Sequence, residues 1–293
     1  MAQRENKQPS GTAAGVAMLR AIESEKPEGI RICYDPYSGA MSTKGLGARI
    51  SKWIIQSGLY DRMSPGALSF VVGRERYIDD YLIAGLRDGL NQVVLLGAGF
   101  DTRAYRIPGI EKTRVFEIDQ PATQELKLVR LKKVIDPLPG HVTFVPVNFN
   151  TQTLGEQLLA HGYNERGKTL FIWQGVTYFL TVHGVDNTLA FIANHSGPGS
   201  SVIFDYFYSE ALRDTTRTDL KMMRRAARMT GEEYLFGIDE GRVEEFLAQR
   251  GFSNVRNLTF ADLKPVYFTG ANAERKMPKG LAIASATVAK GAG

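Results

Sequence analysis

The sequence predicts an α/β fold, a doubly wound sheet with helices on both faces, and three observations carry that prediction. Short apolar runs of strand length alternate with helical patterns at 92–96, 115–118, 142–149, 168–173 and 201–207. Strands joined through helices lie parallel and are buried on both faces, which accounts for runs of Val, Leu and Ile without polar alternation. The first run opens into Gly97-Ala98-Gly99, where missing side chains let the backbone turn tightly and approach a ligand. The second run ends in Asp119. An acidic residue at a strand tip after a glycine turn is placed to accept hydrogen bonds from two ribose hydroxyls. The local reading is one nucleoside-binding half of such a sheet.

Taken in order, residues 1–12 form a polar tail containing Pro9 and Gly11, without an apolar period. Residues 13–26 read as a helix with Val16, Leu19 and Ile22 on one face, stopped by Pro27. Helices are expected over 46–59 and over 65–90, the latter long or broken, just before the glycine strand. A cationic helix over 121–134 follows Asp119, and a short one over 153–161 follows the third strand. The pattern then predicts a helix over 183–195 before the fifth strand. Residues 210–236, charged and rich in Met and Arg, read as an inserted lid or substrate-binding segment. A helix over 241–250, with Val243, Phe246 and Leu247 inward, is closed by Gly251. Strands over 255–260 and 281–288 complete the chain.

Composition narrows the function classes. The 293 residues carry a net charge of +5, and 43% hydrophobic against 23% charged residues is ordinary for a soluble enzyme. Basic clusters at 127–133 and 221–228 fall in helical patterns and read as solvated faces rather than a nucleic-acid surface. Cys33 is the single cysteine, which excludes an internal disulfide or a cysteine-based zinc site, and the four histidines show no metal spacing. The start, MAQRENKQPSG, lacks the apolar segment of a secretory signal, and no run is long enough to span a bilayer. A cytoplasmic protein with neither membrane nor nucleic-acid partner is expected. The glycine pair by itself fits either a simple strand-to-helix turn or a nucleotide loop. The dinucleotide pattern wants a small residue where Thr102 stands, and no Tyr-x-x-x-Lys pair occurs in the chain.

More specific is the combination VVLLGAGFDTRAYRI followed by VFEIDQP. It resembles the glycine and ribose-acid motifs of the leucine carboxyl methyltransferase-like family of S-adenosylmethionine-dependent O-methyltransferases, in its bacterial branch, and the likeness covers roughly residues 14–207. Upstream, Arg20-Ala21 and Asp35-Pro36-Tyr37 match that branch's Arg-Ala and Asp-Pro-Tyr-Ala, with Ser38 for the last Ala. The resemblance implies a Rossmann-like, seven-stranded methyltransferase sheet ending in an antiparallel hairpin. Residues 13–90 would form an N-terminal helical cap and 91–293 the core, with the lid inserted at about 209–236.

The same resemblance implies S-adenosyl-L-methionine as cofactor and no metal. The run Gly-Arg-Glu-Arg-Tyr-Ile-Asp-Asp is similar to a helix whose arginine pairs with the carboxylate of the methionyl moiety, and Arg74 is the match. A fork-shaped guanidinium is the natural partner of a carboxylate. Arg74 and Arg76 lie two residues apart, so the helical pattern cannot say which faces inward. Asn148-Phe149 stands where the family has Asp-Leu at the adenine amino group, and the Asn148 carbonyl can still accept that hydrogen bond. Gln174 stands where the family has Glu, keeping its shape without its charge; Tyr178 and Phe179 replace Met and Tyr. The implied cofactor-binding set is Arg74, Gly97, Ala98, Gly99, Asp119, Gln120, Asn148, Phe149, Gln174 and Gly175. Asp205, near the end of the fifth strand, belongs to the same rim of carboxyl strand ends.

Methyl transfer from a sulfonium is an in-line displacement, in which a carboxylate needs no base and a hydroxyl can need one. Tyr178, His183 and Tyr206 are the candidate catalytic groups, for a small-molecule or peptide acceptor. A nicotinamide-dependent oxidoreductase and a non-catalytic nucleoside-binding scaffold are the competing readings.

Overall fold

The computed structural model describes residues 9–148, 151–229 and 231–289. The helical entry comprises α1 (Gly11–Ser24), α2 (Ser38–Met41), α3 (Leu46–Gln56), α4 (Leu59–Met63) and α5 (Ala67–Arg87). The alternating body runs β1 (Gln92–Leu96), α6 (Arg103–Arg106), β2 (Arg114–Asp119), α7 (Pro121–Leu131), β3 (Val142–Pro146), α8 (Leu154–Ala160), β4 (Thr169–Trp173), α9 (Val182–Asn194) and β5 (Ser201–Phe207). The last part comprises α10 (Ser209–Arg213), α11 (Thr218–Met229), α12 (Val243–Ala248), β6 (Phe252–Thr259), α13 (Phe260–Tyr267) and β7 (Leu281–Val288).

The seven strands form one sheet in the order β3-β2-β1-β4-β5-β7-β6. The first five are parallel, with Gln92 level with both Arg114 and Thr169. Strand β7 runs antiparallel between β5 and β6. Every residue of β1 and β4 is buried, as central strands covered on both faces require. Leu19 of α1 and Phe70, Ile78 and Leu82 of α5 belong to the same buried cluster as these strands. The sheet order reverses direction at β1 and β4, and that switch point opens the crevice in which ligands of such sheets bind.

Several boundaries differ from the sequence expectation for local reasons. Helix α1 begins at Gly11, inside the expected tail, because the Ser10 side chain accepts from Ala13 N at 3.1 Å and caps it. Strand β3 ends at Pro146 on the open edge of the sheet, where its missing N–H leaves no ladder bond unmade, and Val147 N still donates to Asp119 O at 2.9 Å. Helix α12 is shorter than predicted, since Gly241 sits at φ +78 just ahead of it. Helix α13 was not foreseen: Pro265 lies inside it, and a reciprocal cap between Thr259 and Asp262 starts it. The segment expected to form a lid opens with α10 and α11 and continues as a chain held by Leu235 N donating to Tyr178 O at 2.7 Å.

The basic cluster on α7 is not wholly a solvated face. Lys127 is buried against β2, with its Nζ 2.7 Å from Glu117 Oε2, and that carboxylate is fully buried. Burial pushes the Glu117 carboxyl above its usual range although Lys127 opposes it. We expect Lys127→Ala to lower unfolding free energy by ~3–5 kcal/mol, because it leaves a buried charge uncompensated. Lys127→Met with Glu117→Leu is expected to recover most of that loss. Urea midpoints of the three proteins check this, and a single variant as stable as the parent would contradict it.

Candidate active site

The site is built at the carboxyl ends of β1, β2, β4 and β5. After β1 the chain turns through Gly97 at φ +66 and Gly99 at φ +43, a region that disfavours any side chain. A Cβ at Gly97 would lie 2.4 Å from Val176 Cγ2, and one at Gly99 would lie 3.1 Å from Ala13 Cβ. The amide of Gly99 donates to Asp119 Oδ2, while Oδ1 accepts from Gln120 N at 2.7 Å. Burial pushes the Asp119 carboxyl up, and these two amides partly counter it. Ala98 is buried and its amide donates to Ile118 O at 2.8 Å, tying the glycine turn to β2. Gln120 caps α7 from an extended conformation.

On the other side of the crevice, β4 ends in Gln174-Gly175. Gly175 sits at φ +76 and donates to Asp205 Oδ1 at 2.6 Å; a Cβ there would approach Arg74 Nη1 to 3.5 Å and the Tyr178 hydroxyl to 3.6 Å. Arg74 is 2% exposed, and its Nη1 meets Asp205 Oδ2 at 2.5 Å and the Tyr178 hydroxyl at 3.4 Å. Arg76 instead lies exposed on α5 and pairs with Asp80 at 3.1 Å, one helical turn away, so the inward arginine of the two is Arg74. Two buried atoms here find no hydrogen-bond partner among the described residues: Arg74 Nε, a donor, and Gln174 Oε1, an acceptor.

The remaining sequence candidates divide. Asn148 closes the turn after β3, its carbonyl accepting from Gln152 N at 2.8 Å and its amide donating to Gln152 Oε1 at 2.9 Å. Phe149 lies outside the described residues. Tyr178 reaches the centre, but burial and Asp205 push its hydroxyl well above its usual range despite Arg74. Strand alternation turns Tyr206 to the sheet face opposite Asp205, where its hydroxyl donates to Asn257 Oδ1 at 3.1 Å. The structure therefore does not bring Tyr206 to the rim. His183 is exposed on the first turn of α9, with its Nε2 3.1 Å from Asn187 Nδ2 on the next turn; no group of the rim meets it.

Sequence reasoning missed the charged cluster behind the glycine turn. Glu75 Oε1 accepts from Arg106 Nη2 at 2.8 Å and Arg20 Nη1 at 3.2 Å, while Oε2 lies 3.1 Å from Arg103 Nη2 and accepts from Gln174 Nε2 at 2.9 Å. Asp79 Oδ1 takes Arg103 Nε at 2.7 Å, and Oδ2 takes Arg106 Nη1 at 2.6 Å. Asp101 pairs with Arg103 at 2.5 Å, and Arg20 Nη2 donates to Phe100 O at 2.5 Å. A signal was present: Glu75 and Asp79 stand one turn apart on α5, and Arg103 and Arg106 one turn apart on α6. What no spacing could supply was that these short segments face one another.

The segment expected to form a lid also meets this region. Tyr234 stacks on Phe179 with ring centroids 5.3 Å apart and packs edge-on against Tyr178 at 5.4 Å. Glu232 accepts from the Ser10 hydroxyl at 3.4 Å and from that of Thr12, so the start of α1 and the lid meet beside Gly99.

A sheet of this order, with a glycine turn after the first strand and a carboxylate at the tip of the second, defines a Rossmann-like protein of the methyltransferase class. The chain belongs to the leucine carboxyl methyltransferase family, whose model matches residues 13–193. A Bacillus subtilis (strain 168) protein, YktD, is 32% identical over 224 residues, 75% of this chain and 70% of that one. A Streptomyces coelicolor relative, SCO7813, is 34% identical over 202 residues, 66% and 68% of the two chains. Both are provisionally named S-adenosyl-L-methionine-dependent methyltransferases. Among solved structures, a protein of Thermobifida fusca YX, provisionally described as a methyltransferase, superposes with a TM-score of 0.58 over 97% of this chain and 96% of its own. Its identity of 14% makes that a likeness of fold alone.

The arginines around Glu75 hold its carboxyl far below the usual carboxylate range, against a strong opposing effect of burial. A depressed carboxyl stabilises the fold above its unfolded pKa, near 4.5, and that stability is lost as pH falls toward the folded value. Glu75→Gln should therefore be less stable at pH 7 by ~3–5 kcal/mol, since it leaves buried arginines undercompensated. Its deficit should shrink as pH drops below about 4.5. Thermal melts from pH 3 to 7 check both limbs; a deficit independent of pH would contradict the assignment.

Proposed function

We propose that this chain is an S-adenosyl-L-methionine-dependent O-methyltransferase acting on a carboxylate of a small molecule or peptide. One observation carries the cofactor reading: the unpartnered donor Arg74 Nε and acceptor Gln174 Oε1 flank Gly175, across the crevice from Asp119. An α-amino acid end offers the complementary pair, a carboxylate for the guanidinium and an ammonium for the amide oxygen. The glycine turn and Asp119 suit the ribose. Relatives named for the same cofactor support the reading. When bound, the cofactor supplies an electrophilic methyl on a sulfonium. The protein's part is to align the acceptor oxygen with that methyl and keep water out.

The choice of a carboxylate rests on what the rim offers as a base. Tyr178 stays protonated at neutral pH, since its hydroxyl is pushed well up. Tyr206 lies on the far face, and His183 is exposed on α9 beside Asn187. Asp205 and Glu75 are engaged by arginines. An acceptor carboxylate arrives already ionised and needs none of them, whereas a hydroxyl would. The nicotinamide reading fares poorly: the glycine turn leads into a helix of only four residues, too short to present an N-terminal dipole to a pyrophosphate.

Calorimetric titration with S-adenosyl-L-methionine, its demethylated product and NAD tests the cofactor, and binding of NAD alone would overturn the proposal. Arg74→Ala should weaken the cofactor by ~2–5 kcal/mol and Asp119→Ala by ~2–4 kcal/mol. The product lacking its carboxylate should bind the parent and Arg74→Ala with nearly equal affinity. For the acceptor, label from methyl-tritiated cofactor should be released as methanol by mild alkali, as from an ester. Alkali-stable label would point to an ether and a hydroxyl acceptor.

A further inference from the structure

Helix α3, LGARISKWIIQ, lies on the surface with Ile55 against the core, while a second apolar stripe on its other side faces solvent. Lys52 pairs with Glu25 of the chain just after α1, and Gln56 Nε2 donates to the other oxygen of that carboxylate at 3.3 Å. Leu46, Ile50 and Trp53, spaced i, i+4 and i+7 and so on one face, are 74%, 51% and 65% exposed. No residue of α3 is buried, and a cleft of about 330 Å³ lies between it and α1, lined by Met18, Ile22, Ala48 and Lys52 among others. Helix α4 continues the pattern, with Leu59 and Met63 also exposed. Single exposed apolar residues are ordinary, but five on two adjoining short helices form a patch that calls for cover.

Charge decides what covers it. Lys44, Arg49 and Arg62 are exposed around the patch, α3 carries no acidic residue, and Lys52 neutralises Glu25; Asp61, the acid of α4, is half-buried and accepts from Gly66 N at 3.3 Å. A second copy docked on the same face would add its own cations to the interface, with no acidic residue of either α3 to pair them. An anionic lipid surface offers the complement: apolar side chains enter the headgroup boundary while Lys and Arg meet phosphates. No helix among the described residues is long and apolar enough to cross a membrane; lying on a membrane requires only such a face. We propose that the α3–α4 face, led by Trp53, docks peripherally on an anionic membrane surface. This does not depend on the identity of the acceptor or the cofactor.

The chain's two tryptophans make the test direct, because Trp173 is 2% exposed in the core and only Trp53 meets solvent. Vesicles of equal phosphatidylglycerol and phosphatidylcholine are expected to shift Trp53 emission to the blue and to co-sediment the full chain. Pure phosphatidylcholine should bind it at least tenfold more weakly, and raised salt should weaken the anionic case. Ile50→Glu, at an exposed position, should melt like the parent and lose tenfold or more of vesicle binding. The Trp173→Phe variant should retain the shift, assigning it to Trp53. An absent shift on anionic vesicles would overturn the proposal. So would a concentration-dependent dimer, seen by light scattering and broken by Ile50→Glu, since the cover would then be a second copy.

Discussion

The buried charge cluster centred on Glu75 is the constraint on which the site depends. A glycine turn is free to bend in many ways, and that freedom would cost binding energy if the ligand alone had to order it. Here the two residues after Gly99 are held from behind: the Phe100 carbonyl by Arg20, and the Asp101 carboxylate by Arg103. Both arginines converge on Glu75. The same carboxylate takes the amide of Gln174, so one side chain on α5 fixes the loops after β1 and β4 together. Buried charges are costly unless fully paired, and α1, α5 and α6 must all be in place for that pairing. The helical entry is thereby part of the site rather than an attachment to it.

This pairing also accounts for the amide at position 174. Glu75 Oε2 lies 2.9 Å from Gln174 Nε2, a contact that requires a donor. A carboxylate at 174 would face another at hydrogen-bond distance, and one of the two would have to take up a proton. The amide nitrogen is committed to Glu75, which leaves Oε1 as the acceptor turned away from it. Arg74 shows the same division: Nη1 is committed to Asp205, leaving Nε open. In each case one atom of a forked group is committed to positioning while another finds no partner among the described residues.

The segment after β5 adds a third layer. The chain after α11 passes along Tyr178 and brings Tyr234 onto Phe179, while Glu232 meets the hydroxyls at the start of α1. Segments separated by over two hundred residues thus close on each other beside the glycine turn.

The sequence by itself determined the periodic parts of this protein. Runs such as Gln92–Leu96 and Ser201–Phe207 could only be buried strands, since their apolar character does not alternate and their length suits no helix. The glycine turn and Asp119 were legible for a related reason: their chemistry is local, set by missing side chains and by a strand tip. The tertiary structure decided everything that rests on which segments meet. It turned Arg74 inward and Arg76 outward, and it buried Lys127 against Glu117. It also left Leu46, Ile50 and Trp53 of α3 outward while Ile55 packs against the core, where patterning alone predicts the larger apolar stripe inward. Patterning reports how apolar a face is; only packing fixes what lies across from it, and buried charge pairs and exposed patches are properties of that neighbour.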